Sequence, residues 1–593
     1  MRGEEFIFLP SIPWNSSSDF VPRRGNREGE GWIERLFILR SLLKTRQQLI
    51  KPRRLFAGTI TLLPVGPTPS GACKPSGWGY IAGMDPEKVN YHYCDDLSTN
   101  PWPEGTRVLV TGANGYVAHR LIPELVSRGY IVRCMYRNNN CPPLLTHPRV
   151  EHVYADCLNK DELLPALQDV DHAYYLIHSM RLKGEEFVAK DQLAAKNFRE
   201  SAEQHGVKRI IYLGGLGEKN DRMSSHLRSR REVGNILSQG NIPVIRVRVA
   251  IILGTGSASY ELMKSMILNN RFIPFLSEFN SMCQPIAIRD VIKYLVGVME
   301  TPGLATRVFQ VGGKDVLTYK EMILSFAKIL NRRVHFVDVS WVPISVDGMC
   351  RLYSYWLNCF ISIPVNITYL LLNSLKTDVV CGDDEISTLL PFEPLDFVTA
   401  VKWAQEKEKR SMVFSHWSDV PPENMSDLLP LCQFESSEFV IEEHEIKIPA
   451  APEQVFPVVC QIGGKHGWNH ANFLWEIRGL IDRLLGGVGL HRGRRDPAHL
   501  RVGDSVDFWR VEKLEPNQEL LLRAEMITPG LSWLQFQLDS DQNGGTHLTL
   551  RAHFIPKPFW GNLYWMVLSN FHSYIFKGML EFFREKSLQI SAP

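Results

Sequence analysis

The sequence lacks an excess of charge and several features that mark specialised classes of protein. Among its 593 residues, 66 Lys and Arg offset 64 Asp and Glu, and both signs are mixed along the chain. A nucleic-acid interface concentrates basic residues on one surface, so this balance argues against nucleic acid as a partner. The 11 cysteines include no Cys-x-x-Cys pair. We therefore expect reduced thiols in an intracellular protein and no zinc ribbon.

The N-terminal region lacks a recognisable secretory signal, because acidic residues such as Glu4 and Glu5 leave no clean apolar core. The basic and apolar stretch Arg35–Arg54 resembles a mitochondrial presequence, but those early acidic residues count against it. We expect a cytoplasmic protein, with a mitochondrial location as the alternative. Residues 55–105 are rich in Pro, Gly and Ser and carry no sustained period, so residues 1–102 are predicted to be a poorly ordered extension and linker. A start at Met84 would leave out little of the fold.

One long run without charge lies between Arg351 and Lys376, and its 24 residues are enough to span a bilayer. Pro364 interrupts the run, and Asn358 and Asn366 dilute its apolar character. The sequence therefore predicts two short helices that line an apolar pocket. Membrane contact is the alternative that we do not favour.

Strands and helices alternate from Arg107 onward, and this pattern predicts an α/β fold with a doubly wound parallel sheet. We place this Rossmann domain at residues 103–410 and a linker at residues 411–434. After the linker, strands follow one another with turn signals between them. Residues 435–590 are therefore predicted to form an α+β domain with an antiparallel sheet and a long C-terminal helix, Trp560–Glu585.

The segment Val-Thr-Gly-Ala-Asn-Gly-Tyr-Val-Ala, residues 110–118, follows a predicted strand and opens a helix. Gly112 permits the tight turn, and Gly115 lets the backbone approach a pyrophosphate at the helix N-terminus. Asn114 and Tyr116 lie in the same turn. Strand, helix and second strand have the spacing of a dinucleotide-binding unit, so these four residues are predicted to bind an NAD(P) cofactor.

The segment Tyr130–Asn140 contains no acidic residue, whereas an NAD site usually places an Asp or Glu there to hold the ribose 2′-hydroxyl. It contains Arg133 and Arg137 instead, and a guanidinium suits a 2′-phosphate. The sequence therefore favours NADP over NAD, with Arg137 as the phosphate ligand and a solvated surface charge as the alternative. Asp156 is predicted to reach the adenine, or else to cap a loop.

Several segments resemble the atypical short-chain dehydrogenase/reductases, in particular the NmrA-like branch. They are the glycine-rich turn, Tyr174–Met180, Ile211–Gly217 and Gln284–Asp290. The resemblance covers residues 103–410 and implies an NAD(P)-binding Rossmann fold, and His178 in the second segment joins the predicted cofactor-binding residues.

The tail resembles a domain of unknown function that follows such Rossmann domains in many bacterial proteins. Trp475–Asp482, Arg492–Pro497 and Gly503–Val511 carry this resemblance. It implies a START-like (SRPBCC-like) fold, in which a curved antiparallel sheet grips a long helix around an apolar cavity.

The catalytic segment departs from the superfamily, whose members use Tyr-x-x-x-Lys to deliver a proton to the substrate oxygen. Here His226 occupies the Tyr position and Arg230 the Lys position, and Gly214-Gly215 replaces the usual Ser. Imidazole titrates near neutral pH, so His226 is the predicted proton donor, with a surface residue at a helix entry as the equal alternative. Arg230 is predicted to anchor the cofactor.

Three other tyrosine or histidine residues are the next candidates for the proton donor if His226 is not: Tyr174, Tyr175 and His178. His466 and His470 are spaced like metal ligands, but without a following Glu we expect two ordinary histidines. Arg492, Arg494 and Arg495 are expected to form a solvated basic turn, with an anion site as the alternative.

These features predict an NADP-dependent oxidoreductase that reduces an unidentified apolar carbonyl or enone. Two alternatives remain: a regulatory protein that senses NADP without turnover, and a lipid-handling protein that works through its START-like tail. The expected partner is a small apolar substrate or a lipid.

Overall fold

The computed structural model describes residues 93–137, 147–177, 185–217, 225–339, 341, 344–358, 365–410, 413, 415–417, 431, 434, 439–485, 487–490, 494–496, 499–541 and 544–591. All of them fall in one compact unit of the chain, Pro75–Pro593. His178, Arg492 and the proposed presequence Arg35–Arg54 lie outside the described residues.

The first sheet has seven parallel strands in the order β11-β6-β5-β4-β1-β2-β3. Its strands are β1 Arg107–Thr111, β2 Ile131–Tyr136, β3 Val150–Tyr154, β4 His172–Tyr175, β5 Arg209–Gly215, β6 Val244–Val249 and β11 Arg307–Val311. Central strands such as β1 are almost wholly buried, as expected of a sheet covered on both faces. The strand order reverses between β1 and β4, and ligands of such folds bind outside the carboxyl ends at this reversal.

Helices cover the two faces of this sheet. In chain order they are α1 Ala118–Ser127, α2 Lys160–Leu167, α3 Glu185–Gln204, α4 Ser225–Leu237, α5 Ala258–Asn269, α6 Ile288–Glu300 and α7 Tyr319–Ile329. The predicted doubly wound parallel α/β fold is confirmed, and its first strand begins at Arg107, where the alternation of strands and helices was predicted to start.

A smaller lobe is built mainly from residues that follow β6 in the chain. It contains three two-stranded sheets formed by β7 Ile252–Leu253, β8 Phe272–Phe275, β9 Met282–Cys283, β10 Ile286–Ala287, β12 Leu317–Thr318 and β13 His335–Asp338. Its later helices are α8 Val346–Asn358, α9 Val365–Ser374, α10 Glu385–Leu389 and α11 Phe397–Lys409. Helices α8 and α9 are the two short helices predicted for the uncharged run. Within the described residues, no helix combines the length and apolarity needed to cross a bilayer.

The second large sheet has six antiparallel strands in the order β14-β19-β18-β17-β16-β15. They are β14 Val440–Ile448, β15 Ser505–Val506, β16 Trp509–Glu515, β17 Glu519–Ala524, β18 Gly530–Ser540 and β19 Thr546–Pro556, with helices α12 Pro452–Val459, α13 Asn472–Leu484 and α14 Trp560–Ser591. The predicted α+β domain with a long final helix is confirmed. Its interior holds a buried aromatic cluster in which Trp468 stacks on Trp475 with ring centroids 4.8 Å apart.

Residues assigned from sequence to linkers contribute to the Rossmann core. The backbone N–H of Tyr93 donates to the buried Glu124 carboxylate at 2.6 Å, and the Trp102 indole donates to the carbonyl of Met299 at 2.9 Å. In the second linker, the Ser415 hydroxyl is buried against the Arg120 guanidinium at 2.6 Å. Hydrophobic periodicity does not predict these contacts, because each is made by a single residue and not by a repeating apolar face.

Candidate functional site

The glycine-rich turn after β1 has the geometry that dinucleotide binding requires. Gly112 has φ +62°, a left-handed conformation that favours glycine. The N–H of Gly115 donates to the carbonyl of Gly112 at 2.8 Å, and a Cβ at Gly115 would lie 2.9 Å from that oxygen. Helix α1 then begins at the buried Ala118, so the N-terminus of the helix faces the turn.

A cavity of about 600 Å³ opens at this turn and runs along the carboxyl edge of the sheet. Its floor consists of residues 112–118 and the ends of β2, β3, β5 and β6. The rest of its lining is largely apolar and includes Tyr319, Ile367, Leu370, Leu371, Val379 and Trp417. One continuous space therefore joins the turn to an apolar wall.

Asn114 and Tyr116 both line the cavity. The Oδ1 atom of Asn114 is buried and has no hydrogen-bond partner in the described structure. A buried acceptor without a partner is costly unless a ligand satisfies it. The Tyr116 ring lies 3.8 Å below the Arg120 guanidinium, and burial raises the pKa of its phenol to about 12. The glycine cradle and the unsatisfied amide oxygen thus fit a dinucleotide.

Arg137 and Asp156 both line the cavity beside the ends of β2 and β3, and the Arg137 Nε donates to Asp156 Oδ2 at 3.2 Å. Both side chains remain partly exposed. Asp156 Oδ1 also accepts from the N–H of Leu158, so the capping alternative for this carboxylate holds as well. Arg133 does not reach the cavity, because its guanidinium binds Glu151 on β3 at 2.8 Å.

Arg230 lines the other end of the cavity, beside Gly214 and Gly215 at the end of β5. Its Nη2 donates to the carbonyl of Leu213 at 2.6 Å, while its Nε is buried without a partner. The phenol of Tyr212 donates to the Arg230 carbonyl and ties the helix to the strand. His226 is the second residue of α4, one turn before Arg230, and its side chain lies outside what the structure describes.

Tyr174 and Tyr175 are wrong as reserve proton donors. Both are fully buried within β4, and the Tyr174 phenol donates to the carbonyl of Leu295 at 2.9 Å. Tyr175 packs edge-on against Phe198. Neither lines the cavity, because their side chains point into the layers between sheet and helices.

Three residues that line the cavity were not predicted from the sequence. Ser257 caps α5, because its hydroxyl accepts from the backbone N–H of Tyr260. Tyr319 is the first residue of α7. Trp417 lies in the predicted linker, and its backbone N–H donates to the carbonyl of Gly256 at 2.8 Å. The cap signal at Ser257 was readable from its position before a helical pattern. The inward placement of Trp417 depends on tertiary contacts alone.

Two arginines of the C-terminal domain are neither a solvated turn nor an open anion site, so both sequence interpretations of them are wrong. Arg494 donates to the carbonyls of Cys460 and Ile462 at 2.6 and 2.7 Å. Arg495 is buried and binds Asp504 through two nitrogens at 2.9 and 3.0 Å. They hold the domain together because each satisfies buried acceptors.

The two histidines spaced like metal ligands do not converge. His466 is exposed, and His470 stacks edge-on against Tyr574 at 4.8 Å. Among the described residues, no group of three or more His, Cys, Asp or Glu side chains is arranged to hold a metal ion.

Comparison with known proteins gives matches to both regions. Residues 112–241 match a family model described as NAD(P)H-binding, and residues 439–579 match the model of a protein family of unknown function. The first match agrees with the glycine-rich turn in assigning NAD(P) binding to this region.

Individual relatives are distant. A 3-beta-hydroxysteroid dehydrogenase of Mycolicibacterium neoaurum is 30% identical over 115 residues, 18% of this chain and 31% of that protein. The ceramide reductase of Caulobacter vibrioides is 23% identical over 233 residues, 39% of this chain and 72% of that protein. The crystal structure of the Bordetella bronchiseptica enzyme WbmG in complex with NAD is 14% identical, with a TM-score of 0.41, and covers 54% of this chain and 98% of that one. The chain thus spans under a third of the first relative.

Proposed function

We propose that this protein is an NADP-dependent oxidoreductase that reduces the carbonyl group of an apolar, lipid-like substrate. One observation carries the proposal: a single cavity of about 600 Å³ connects the dinucleotide turn to an apolar wall. This volume lies in the range of small-molecule sites, which are mostly apolar with a few fixed polar groups.

The preference for NADP rests on the adenine end of the cavity. No acidic residue follows β2, and Arg137 offers a guanidinium to a 2′-phosphate. In this arrangement the backbone of Gly112 and Gly115 approaches the pyrophosphate, the unpaired Asn114 Oδ1 accepts from a ribose hydroxyl, and Arg137 exchanges part of its contact with Asp156 for the 2′-phosphate. The bound nicotinamide supplies hydride chemistry.

Proton delivery is assigned to His226 and cofactor positioning to Arg230. The guanidinium of Arg230 is fixed against Leu213, and its buried Nε needs an acceptor that a ribose hydroxyl provides. Arginine does not shuttle protons, so the acid must be another group. His226 lies one helical turn earlier on α4, and an imidazole ordinarily can give up a proton near neutral pH.

An apolar substrate fits the apolar wall formed by α9, where Ile367, Leu370 and Leu371 face the cavity. Two of the distant relatives are named for ceramide and for a hydroxysteroid, and this supports a lipid as the substrate class.

NADPH oxidation tests the proposal with a panel of long-chain aldehydes, long-chain ketones and ketosteroids. We expect turnover of at least one member, abolished in His226→Phe with NADPH affinity unchanged within about twofold. Arg230→Ala should weaken NADPH binding itself. As a matched test of the apolar wall, Leu371→Trp should raise KM for long-chain substrates and spare short ones.

Binding of NADPH without turnover of any carbonyl would favour the alternative of a dinucleotide sensor. Full activity in His226→Phe would instead show that another group donates the proton.

We also propose that the C-terminal domain is START-like. Its six-stranded antiparallel sheet packs against the long helix α14, and buried residues of that helix, such as Met579 and Phe583, join the domain core. Native mass spectrometry of the purified protein tests this proposal, because a lipid that co-purifies and is lost on deleting residues 435–593 would place lipid handling in this domain.

A further inference from the structure

The first half of α14 exposes an apolar face that nothing in the described structure covers. Its exposed large side chains are Trp560, Leu563, Met566, Val567, Phe571 and Tyr574. These positions recur at intervals of three and four residues, so they form one stripe along the helix. From Pro558 to Phe576 the chain contains no Asp, Glu, Lys or Arg.

The second half of the same helix behaves differently. After Lys577 its exposed positions include Glu581, Glu585 and Lys586, which is the ordinary surface of a helix packed on one side. The change occurs within a single continuous helix. The apolar stripe is therefore a property of one part of the domain rather than of the helix as a whole.

A second helix extends this surface. Helix α13 exposes Phe473, Ile477, Leu480, Ile481 and Leu484, again on one face. His470, just before α13, contacts Tyr574, and Arg478 Nε lies 3.4 Å from the Tyr564 phenol oxygen. These two contacts place α13 beside the first half of α14 and antiparallel to it, so each helix contributes an exposed apolar stripe to this part of the domain surface. We call it the α13–α14 face.

The start of α14 presents two aromatic rings at the end of this face. Phe559 has φ +65°, a left-handed conformation that is a genuine outlier for a bulky residue. It is 69% exposed, and its ring packs edge-on against Trp560 at 5.1 Å. The Phe559 ring therefore lies in solvent beside Trp560, at the start of the exposed stripe.

We propose that the α13–α14 face docks the protein onto the surface of an anionic lipid bilayer, with both helices in the plane of the membrane. Large aromatic side chains at the end of an in-plane apolar stripe suit the boundary between headgroups and acyl chains. Two exposed lysines, Lys557 and Lys577, bracket the uncharged run and complement anionic headgroups.

A second copy of the chain is a poorer occupant of the face. In a two-fold dimer with antiparallel α14 helices, Lys557 of one copy would approach Lys577 of the other. The first half of α14 offers no acidic side chain to offset this repulsion, and Glu476 is the exposed acid that α13 contributes. A lipid surface presents the opposite charge along the whole stripe.

Docking goes beyond the proposed reaction and does not depend on it. It would bring the cavity to the phase in which apolar carbonyl compounds dissolve. Dinucleotide binding provides an independent readout, since no residue of the α13–α14 face lines the cavity.

Flotation of the full chain with vesicles tests the proposal, using phosphatidylcholine alone and phosphatidylcholine mixed with phosphatidylserine. We expect the wild type to float with both and more strongly with the mixed vesicles. The double variant Trp560→Gln/Phe571→Gln should reduce the vesicle-bound fraction at least tenfold. Trp341→Gln, which changes a 79% exposed tryptophan outside the face, is the matched control and should leave binding unchanged.

The double variant Lys557→Glu/Lys577→Glu should abolish the preference for mixed vesicles. All variants should keep the melting temperature and the NADPH affinity of the wild type without lipid, because the replaced side chains are exposed. The proposal is overturned if the wild type does not float with the vesicles. It is also overturned if the Trp560→Gln/Phe571→Gln variant floats as well as the wild type. A third contradicting result is a wild type that is a dimer without lipid and a Trp560→Gln/Phe571→Gln variant that is a monomer, because the face would then be a contact between two copies of the chain.

Discussion

The parallel sheet and the antiparallel sheet each pack helices against an apolar layer, but they leave apolar side chains uncovered in different places. Around the parallel sheet, apolar residues of α9 face an internal cavity next to the glycine-rich turn. In the C-terminal domain the interior holds a stacked aromatic cluster, and the uncovered apolar residues lie outside, on α13 and α14. The first arrangement suits a small ligand, and the second suits an extended surface.

The ion pairs in the core of the C-terminal domain differ from the pair beside the cavity of the first region. The C-terminal domain buries complete ion pairs, including Arg495 with Asp504 and Arg510 with Glu525. At the cavity of the first region, Arg137 and Asp156 remain partly exposed and can rearrange around a ligand. Buried pairs fix a structure because breaking them is costly, whereas exposed pairs contribute little.

The largest expected effect concerns the boundary of the first region. A chain that starts at Met84 should melt like the full chain, whereas a chain that starts at Pro103 should lose roughly 5 kcal/mol or more of stability, since it removes the buried Tyr93 and Cys94 and the half-buried Trp102. Thermal unfolding of the two truncated proteins measures this. Equal melting temperatures would show that residues 93–102 are not part of the core.

The next effect tests the buried pairs of the second region. Glu525→Ala leaves the Arg510 guanidinium buried without its carboxylate, which it now binds at 2.7 and 2.9 Å. Urea denaturation should show a loss of about 3–5 kcal/mol. Glu104→Ala removes the exposed partner of Arg149 and, as the control, should cost less than about 1 kcal/mol. Similar losses would remove the contrast between buried and exposed pairs.

A smaller effect should depend on pH. Burial raises the pKa of Asp507 to about 6 from its usual 3.8. The folded protein therefore binds a proton where the unfolded chain has released it, so this carboxyl makes stability fall as pH rises from about 4 through about 6, and its effect levels off above that pH. Asp507→Asn removes that dependence. Its stability relative to the wild type should improve by about 2 kcal/mol between pH 4 and pH 7.

Urea denaturation of both proteins at each pH measures the difference. The comparison between variant and wild type is essential, because His119 contributes the opposite slope. Burial lowers the pKa of His119 to about 3, so the stability that it supports is lost as pH falls below about 6.5. A difference that stays constant with pH would mean that Asp507 is ionised in the fold at pH 4 as well.

The smallest expected effect concerns cofactor choice in the first region. NADPH should bind at least tenfold more tightly than NADH, about 1.4 kcal/mol, and Arg137→Glu should erase the preference. Arg149→Glu changes a partly exposed arginine outside the cavity and should leave the preference intact. Fluorescence titration with NADPH and NADH measures both affinities. Equal affinities in the wild type would contradict the predicted preference for NADPH.

The sequence by itself determined the elements and their order. The turn at Gly112 and Gly115, the parallel strands and the final helix were all readable, because glycine requirements and hydrophobic periods are local properties of the chain. The placement of Gly112, Asn114, Gly115, Tyr116, Arg137, Asp156 and Arg230 around one cavity follows from that order, since the carboxyl ends of parallel strands meet at one edge.

Only the tertiary structure decided which side chains face which space. Tyr174 and Tyr175 looked available in the sequence but are buried, because β4 lies at the centre of a sheet covered on both faces. Arg494 and Arg495 looked like surface charges, yet buried acceptors engage them. Trp417 reached the cavity from a segment without a pattern. In each case the position of the side chain depends on residues that are distant in the chain, and the local hydrophobic period of a segment does not predict such contacts.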